Sequence, residues 1–227
     1  MNVPLVCDYG SGFSKVGFAG TEAPLAVFPT ILGKLRHDDP LVGLDEEDWF
    51  MGDEAQSRRE KLNLLRPISR ATVPNWDNME KIWHHSFYQV LRAAPEQHPL
   101  MLTEPPLNAM SSKEKMLEIL FETFNVPALY LANQGVLSLY ASGLTSGTAI
   151  ESGEGVTYFV PITNGCPLRQ STGKMDVAGQ DITLYLLQLL SAKGASLVGT
   201  GGALLLLARQ ASPWGSVFGV FNLQPSV

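Results

Sequence analysis

The chain has 227 residues, 45% of them hydrophobic and 17% charged, with a formal net charge of -6. This composition excludes wholesale disorder, and the length allows one large domain or two small ones. An acidic balance with no run of Lys and Arg argues against a nucleic-acid surface, because phosphate binding needs a basic patch. Two cysteines, Cys7 and Cys166, are too few for a disulfide framework and fit a reducing compartment. The N-terminus has neither a basic segment nor an apolar run of signal-peptide type. The longest apolar stretch, Ala203 to Ala208, is far short of the ~20 residues a membrane helix needs. The expectation is a soluble cytoplasmic protein with no membrane contact.

In chain order, Val3 to Cys7 reads as a buried strand ending at Asp8. Tyr9-Gly10-Ser11-Gly12 is a glycine turn, and Ser14 to Phe18 a second strand. Together they predict a hairpin whose tip carries Asp8, Ser11 and backbone amides. Pro40 to Phe50 is acidic and turn-rich, and predicts an exposed, mobile loop. Apolar residues at Met79, Ile82, Trp83, Phe87, Val90 and Leu91 predict an amphipathic helix from Asn78 to Leu91. Leu100 to Leu102 is a short buried strand candidate. Ser111 or Ser112 is the expected cap of a second helix, with Met116, Ile119, Leu120, Phe121 and Phe124 along one face. Gln134 to Tyr140 predicts a third helix, closed by a glycine cap at Ser142-Gly143. Glu151-Ser152-Gly153-Glu154-Gly155 is a second acidic glycine turn, followed by a strand from Val156 to Ile162 and a helix from Asp181 to Leu190. From Ala195 the tail turns to Gly, Ala, Leu, Ser and Pro, with Arg209 as its only charge. Alternating strands and helices place the chain in the α/β class.

The two glycine turns carry the candidate chemistry. A tight turn presents successive amides as an anion nest, and glycine lets the backbone come close to a phosphate. A carboxylate meets phosphate oxygens through hydrated Mg²⁺, which keeps several waters and takes one or two carboxylates. Asp8 and Glu151 are the candidate carboxylates, and Lys15 the candidate phosphate counter-charge. Either turn alone reads as an ordinary hairpin turn. The pair in one chain is more specific. His84 and His85 are adjacent, so on a helix they point about 100° apart, a poor metal pair. They and Trp49, Trp76 and Trp83 are read as packing residues.

Longer blocks then resemble the actin family. Asp8-Tyr9-Gly10-Ser11-Gly12-Phe13-Ser14-Lys15-Val16-Gly17-Phe18-Ala19-Gly20 resembles actin's first phosphate loop. Met51 to Ser57, Asn75 to His85, Leu102 to Asn108 and Val136 to Gly143 are similar to later actin segments, in the same order. The resemblance runs from about Val6 to about Gly194. It implies the actin-like ATPase (ribonuclease H-like) α/β fold, two lobes around a nucleotide cleft. The first lobe would span 1–141 with a small inserted subdomain at about 32–65. The second would begin at 142–194 and be incomplete, and 195–227 would be a divergent tail. It also implies roles: phosphate binding by Gly10, Ser11, Gly12, Lys15, Gly153 and Gly155, water-mediated metal contact by Asp8 and Glu151, and positioning of the attacking water by Gln134. The cofactor would be ATP or ADP with Mg²⁺.

Departures from the family lie at the second turn. Glu151 and Glu154 stand where actins carry aspartates, each adding a methylene. Such sites tolerate roughly 0.5 Å of error. Tyr158 replaces a water-orienting histidine, and a phenol is a poor proton acceptor near neutrality. Asn133 replaces an apolar residue, and Arg70 a modified histidine. Asp45-Glu46-Glu47-Asp48 makes the family's filament-inserting loop more acidic, which opposes desolvation at a subunit contact. These differences point to an actin-like structural or interaction protein with weak or vestigial ATP binding. Its partners would be actin, other cytoskeletal proteins or copies of itself, on a cytoplasmic cytoskeleton. The alternative is a Mg-dependent ATPase that cycles as actin does.

Overall fold

The computed structural model describes residues 2–36 and 49–193, together with the backbone of 217–221. The chain divides into two compact units, residues 1–133 and 134–227.

The first unit is built on a five-stranded sheet. β1 (Leu5–Tyr9) pairs antiparallel with β2 (Phe13–Phe18), which pairs with β3 (Ala26–Pro29). On its other side β1 runs parallel to β7 (Leu100–Glu104), and β7 to β8 (Leu129–Asn133), giving the order β3-β2-β1-β7-β8. Parallel neighbours need a crossover, and helices supply it here. Burial alternates along β1: Leu5, Cys7 and Tyr9 point into the core. Asp8 belongs to this strand, paired with Lys15 across the hairpin, and does not sit at the tip. The strand simply extends to Tyr9, because every second residue through Tyr9 has an apolar side to bury.

Two helices cover the sheet. α2 (Trp76–His84) starts at Asn75, whose Oδ1 accepts the Asn78 amide at 3.1 Å. It then continues as a π-helical segment, His85–Val90. Trp83 and Phe87 are buried from this face, and both rings meet Phe124 edge-on at 6.3 and 5.3 Å between centroids. α3 (Met110–Glu118) starts without a side-chain cap. The chain is extended at Ala109 and already helical at Met110, so Ser111 and Ser112 lie inside the first turn and neither is the expected cap. The start is fixed instead by Lys113 Nζ, 2.8 Å from Glu104 Oε1 at the end of β7.

A small antiparallel sheet within this unit has the order β5-β4-β6, from β4 (Leu32–Leu35), β5 (Trp49–Met51) and β6 (Leu62–Leu65), with α1 (Gly52–Ser57) beside it. It encloses its own cluster of Ile31, Leu35, Phe50, Ala55 and Leu62. Trp49 and Phe50, read from sequence as the end of an acidic loop, are strand residues, and Phe50 is buried. The rest of that loop and its carboxylates, 40–48, lie outside the described residues.

The second unit opens with α4 (Gln134–Ala141), followed by β9 (Gly147–Ser152) and β10 (Thr157–Thr163), an antiparallel pair. β11 (Cys166–Pro167) and β12 (Gly173–Met175) pair with β10, and β13 (Val217–Phe221) with β9. α4 ends as expected at Gly143, whose φ of 73° is left-handed. The Leu144 amide reaches Leu139 O at 3.1 Å and the Gly143 amide Tyr140 O at 2.9 Å, a Schellman closure. α5 (Gly179–Ala192) is longer than expected, and Asp181 Oδ2 accepts the Ala178 amide at its start. The rest of the tail, including the Ala203 to Ala208 run, lies outside the described residues.

Candidate functional site

The first turn is set by the β1–β2 register. Tyr9 pairs with Ser14, and the Gly10 amide then reaches Phe13 O at 3.0 Å, so Gly10, Ser11 and Gly12 form a tight tip. A Cβ on Gly10 would stand 3.1 Å from the Phe13 carbonyl oxygen, closer than ordinary contact, and that oxygen is backbone. A side chain there would press on the backbone, so glycine is favoured on steric grounds.

Behind the tip, Asp8 is held from both neighbouring strands. Lys15 Nζ lies 3.0 Å from Asp8 Oδ2, and Thr103 Oγ1 donates to Asp8 Oδ1 at 2.6 Å. Thr103 comes from β7, whose parallel register with β1 brings it alongside Asp8. The ion pair is partly buried, which limits solvent screening, and a charge-assisted hydrogen bond of this length is strong. Asp8 and Lys15 thus act as one cross-strand pair.

The Ser11 hydroxyl accepts the Ala71 amide at 3.4 Å. Ala71 belongs to a two-residue turn in which Ser69 and Thr72 exchange backbone hydrogen bonds at 2.9 Å in both directions. Its central residues, Arg70 and Ala71, have φ of 47° and 60°. Such a turn favours Asn-Gly, so two side chains held left-handed store strain. The strained turn and the first glycine turn are directly bonded.

Beneath these strands, burial pushes the Cys7 thiol up to about 12 and raises the Tyr9 phenol well above its ordinary value. Both stay protonated at neutral pH. Cys7 and Cys166 are both free.

In the second unit, β9 and β10 meet at the second turn, where the Gly153 amide reaches Val156 O at 3.2 Å. The amides of Gly179 and Gln180 donate to Gly153 O and Glu154 O, both at 2.9 Å, so the start of α5 braces the turn. Thr157 Oγ1 adds a bond to Val177 O at 2.7 Å. Glu151 lies in β9, 9% exposed, and its Oε1 accepts the Ser138 hydroxyl from α4 at 2.6 Å. Tyr158, its cross-strand neighbour, is 5% exposed. Burial, then the negative charge of Asp176, raises the Tyr158 phenol, so it offers no basic oxygen near pH 7. Gln134 is the first residue of α4, one turn before Ser138.

Asp8, Gly10, Ser11, Gly12 and Lys15 therefore gather on one hairpin of the first unit. Gln134, Glu151, Gly153 and Gly155 belong to the second, with Ser138 bonded to Glu151. Sequence reasoning missed Thr103, Ser138 and the Arg70-Ala71 turn. Ser138 had a signal, since it lies four residues after Gln134 and so on the same helix face. Thr103 had none, because only the strand register places it beside Asp8.

Among the described residues no group of three or more His, Cys, Asp or Glu comes together as a metal cage. Hydrated magnesium asks for less, one or two carboxylates plus phosphate oxygens, and each unit offers one candidate carboxylate, Asp8 in the first and Glu151 in the second. In the first unit the glycine tip, Lys15 and the Asp8 carboxylate have the chemistry that a hydrated magnesium phosphate needs. No helix among the described residues is long and apolar enough to cross a membrane.

The actin family model matches residues 2–200 of the chain, past the point near Gly194 where the resemblance by motif fades. That match spans both glycine turns, the inserted small sheet and all five helices described above. The chain belongs to the actin family and has its actin-like α/β fold.

Proposed function

We propose that this chain is an actin-like structural or interaction protein of the cytoskeleton, working in the cytoplasm, that binds ATP or ADP with Mg²⁺ weakly and hydrolyses it poorly. The observation that carries the interaction role is the outer side of α5. No residue of this 14-residue helix is buried. Ile182, Tyr185, Leu186 and Leu189 follow helical spacing and are all exposed, Ile182 and Tyr185 at 61%. An apolar stripe of this kind marks a contact surface. The partner is actin, another cytoskeletal protein or a second copy of the chain.

Nucleotide binding rests on the turns. In the first unit Gly10, Ser11 and Gly12 offer amides to phosphate oxygens, Lys15 offers charge, and Asp8 takes magnesium through water. In the second, Gly153 and Gly155 line the turn and Glu151 offers its own carboxylate to magnesium through water. Bound nucleotide supplies phosphate charge and a hydrolysable bond, and Gln134 would orient the water. Poor hydrolysis follows from Tyr158, a buried phenol held protonated where the family has an imidazole.

Co-sedimentation with filamentous actin, and sedimentation velocity of the chain alone, test the interaction role. We expect association that Leu186→Asp abolishes. A monomer indifferent to actin overturns it. Steady ATP turnover that Gln134→Ala removes would favour the cycling ATPase instead.

A further inference from the structure

We propose that Ser138 is the positioning residue for Glu151, the hydroxyl that sets where the carboxylate of the second turn stands. The inference rests on the nucleotide reading above. A glutamate at this place is one methylene longer than the family's aspartate, so its carboxylate reaches about 1.5 Å further and gains a torsion. Left alone, it would sample several rotamers and overshoot the aspartate position. It is not left alone. Ser138 Oγ donates to Glu151 Oε1 at 2.6 Å, in the range of short hydrogen bonds to a carboxylate.

The tether is only as good as the helix that carries it, and α4 is well fixed. At Gly135 the helix comes so close to β10 that an added Cβ would stand 3.1 to 3.3 Å from three Val160 side-chain atoms. The Schellman closure at Gly143 fixes the other end. Ser138 Oγ also lies 3.2 Å from Gln134 O, the carbonyl one turn earlier. A hydroxyl has one proton, and the shorter contact to a carboxylate takes it. One side chain thus relates the two residues assigned to water and metal: it is bonded to Glu151 and sits one turn along from Gln134. Glu151 is nearly buried, so its carboxylate has little room to turn away from the hydroxyl.

The mechanical consequence is specific. Without the hydroxyl, Glu151 loses the hydrogen bond that sets its Oε1 and magnesium-linked affinity falls, while contacts to the nucleotide that need no magnesium remain. Shortening Glu151 to aspartate removes the need for a tether. The two changes should therefore compensate each other, which a loss of general stability would not do.

The test is calorimetric ATP binding to the full chain, with Mg²⁺ and with EDTA, for the native protein, Ser138→Ala, Ser138→Thr, Glu151→Asp and Ser138→Ala/Glu151→Asp, with a thermal melt of each. Expected is a loss of about tenfold in the magnesium-dependent part of the affinity for Ser138→Ala, the size usual for partners of metal ligands. Affinity in EDTA stays the same, Ser138→Thr keeps native binding, and the double variant recovers it. The inference is overturned if Ser138→Ala leaves the magnesium-dependent part unchanged. It is equally overturned if affinity falls alike with and without Mg²⁺ and Glu151→Asp fails to restore it. A native chain that binds no ATP removes the nucleotide reading itself, and this inference with it; native binding with an indifferent Ser138→Ala removes this inference alone.

Discussion

At Ala71 the backbone is asked to do what an L side chain resists. Its φ of 60° follows Arg70 at 47°, and the pair closes a two-residue turn that both ends bond firmly. A left-handed non-glycine residue costs roughly 1–2 kcal/mol, and strain of this kind persists where surrounding structure imposes it. Here the Ala71 amide is used by the Ser11 hydroxyl, and the hairpin bonds of Ser69 and Thr72 hold the turn shut. Ala71→Gly should therefore stabilise the chain by about 1 kcal/mol, after allowing for the extra freedom glycine has when unfolded. A denaturant midpoint that does not rise would mean the strain is absorbed elsewhere. Sequence reading placed Arg70 at the position of a modified histidine but saw nothing of the turn, since Arg-Ala is not a turn-forming pair. The first glycine turn was readable because a side chain at Gly10 would crowd the Phe13 carbonyl at 3.1 Å, whereas a Cβ on Gly153 would meet Val156 O at an ordinary 3.8 Å. Thr103 was not, because only strand register brings it beside Asp8, and the spacing of Ser138 from Gln134 gave its helix face but not its bond to Glu151.

Elements differ in how openly the sequence declares them. α2 was readable because its apolar residues recur every three to four positions and Asn75 caps it. The start of α3 was misread because two serines near a helix start look like caps, while the actual boundary is decided by the extended Ala109 and the Lys113–Glu104 contact. β8 carries no alternation of burial; Tyr130 is exposed and Leu129 and Leu131 only half-buried, so no period of two announces it. The placement of α4 is the element-scale fact with most consequence, since Ser138 depends on it. Gly135→Val should destabilise by roughly 2 kcal/mol, as overpacking against Val160 outweighs any gain in helix preference. Gly135→Ala is the finer probe. It adds helix preference worth up to about 1 kcal/mol but asks Val160 to give way by a few tenths of an ångström. Adding Val160→Ala should make the two substitutions non-additive in urea melts, because they share one contact. Additive effects would place α4 further from β10 than the structure has it.

At the scale of the molecule, the actin-family match takes in both glycine turns and α5, and α5 is the helix whose apolar stripe stays exposed. A helix in a globular protein normally has one buried stripe, because burial of about 25 cal/mol per Å² of apolar surface is what holds it in place. α5 keeps only a half-buried side, with Thr183, Leu187 and Leu190, and turns Ile182, Tyr185, Leu186 and Leu189 outward. Its position is instead secured at its start, where the first amides bond the second glycine turn and Asp181 bonds Ala178. The exposed stripe is thus free to serve a partner without weakening the turn. That arrangement makes a clear prediction for the isolated chain. Leu186→Lys/Leu189→Lys should leave stability within about 0.5 kcal/mol, as surface substitutions do, while raising solubility and lowering the binding of a hydrophobic dye. If the same variant instead lost several degrees in a thermal melt, the stripe would be buried against the chain itself, and the contact surface would have to be sought on another face.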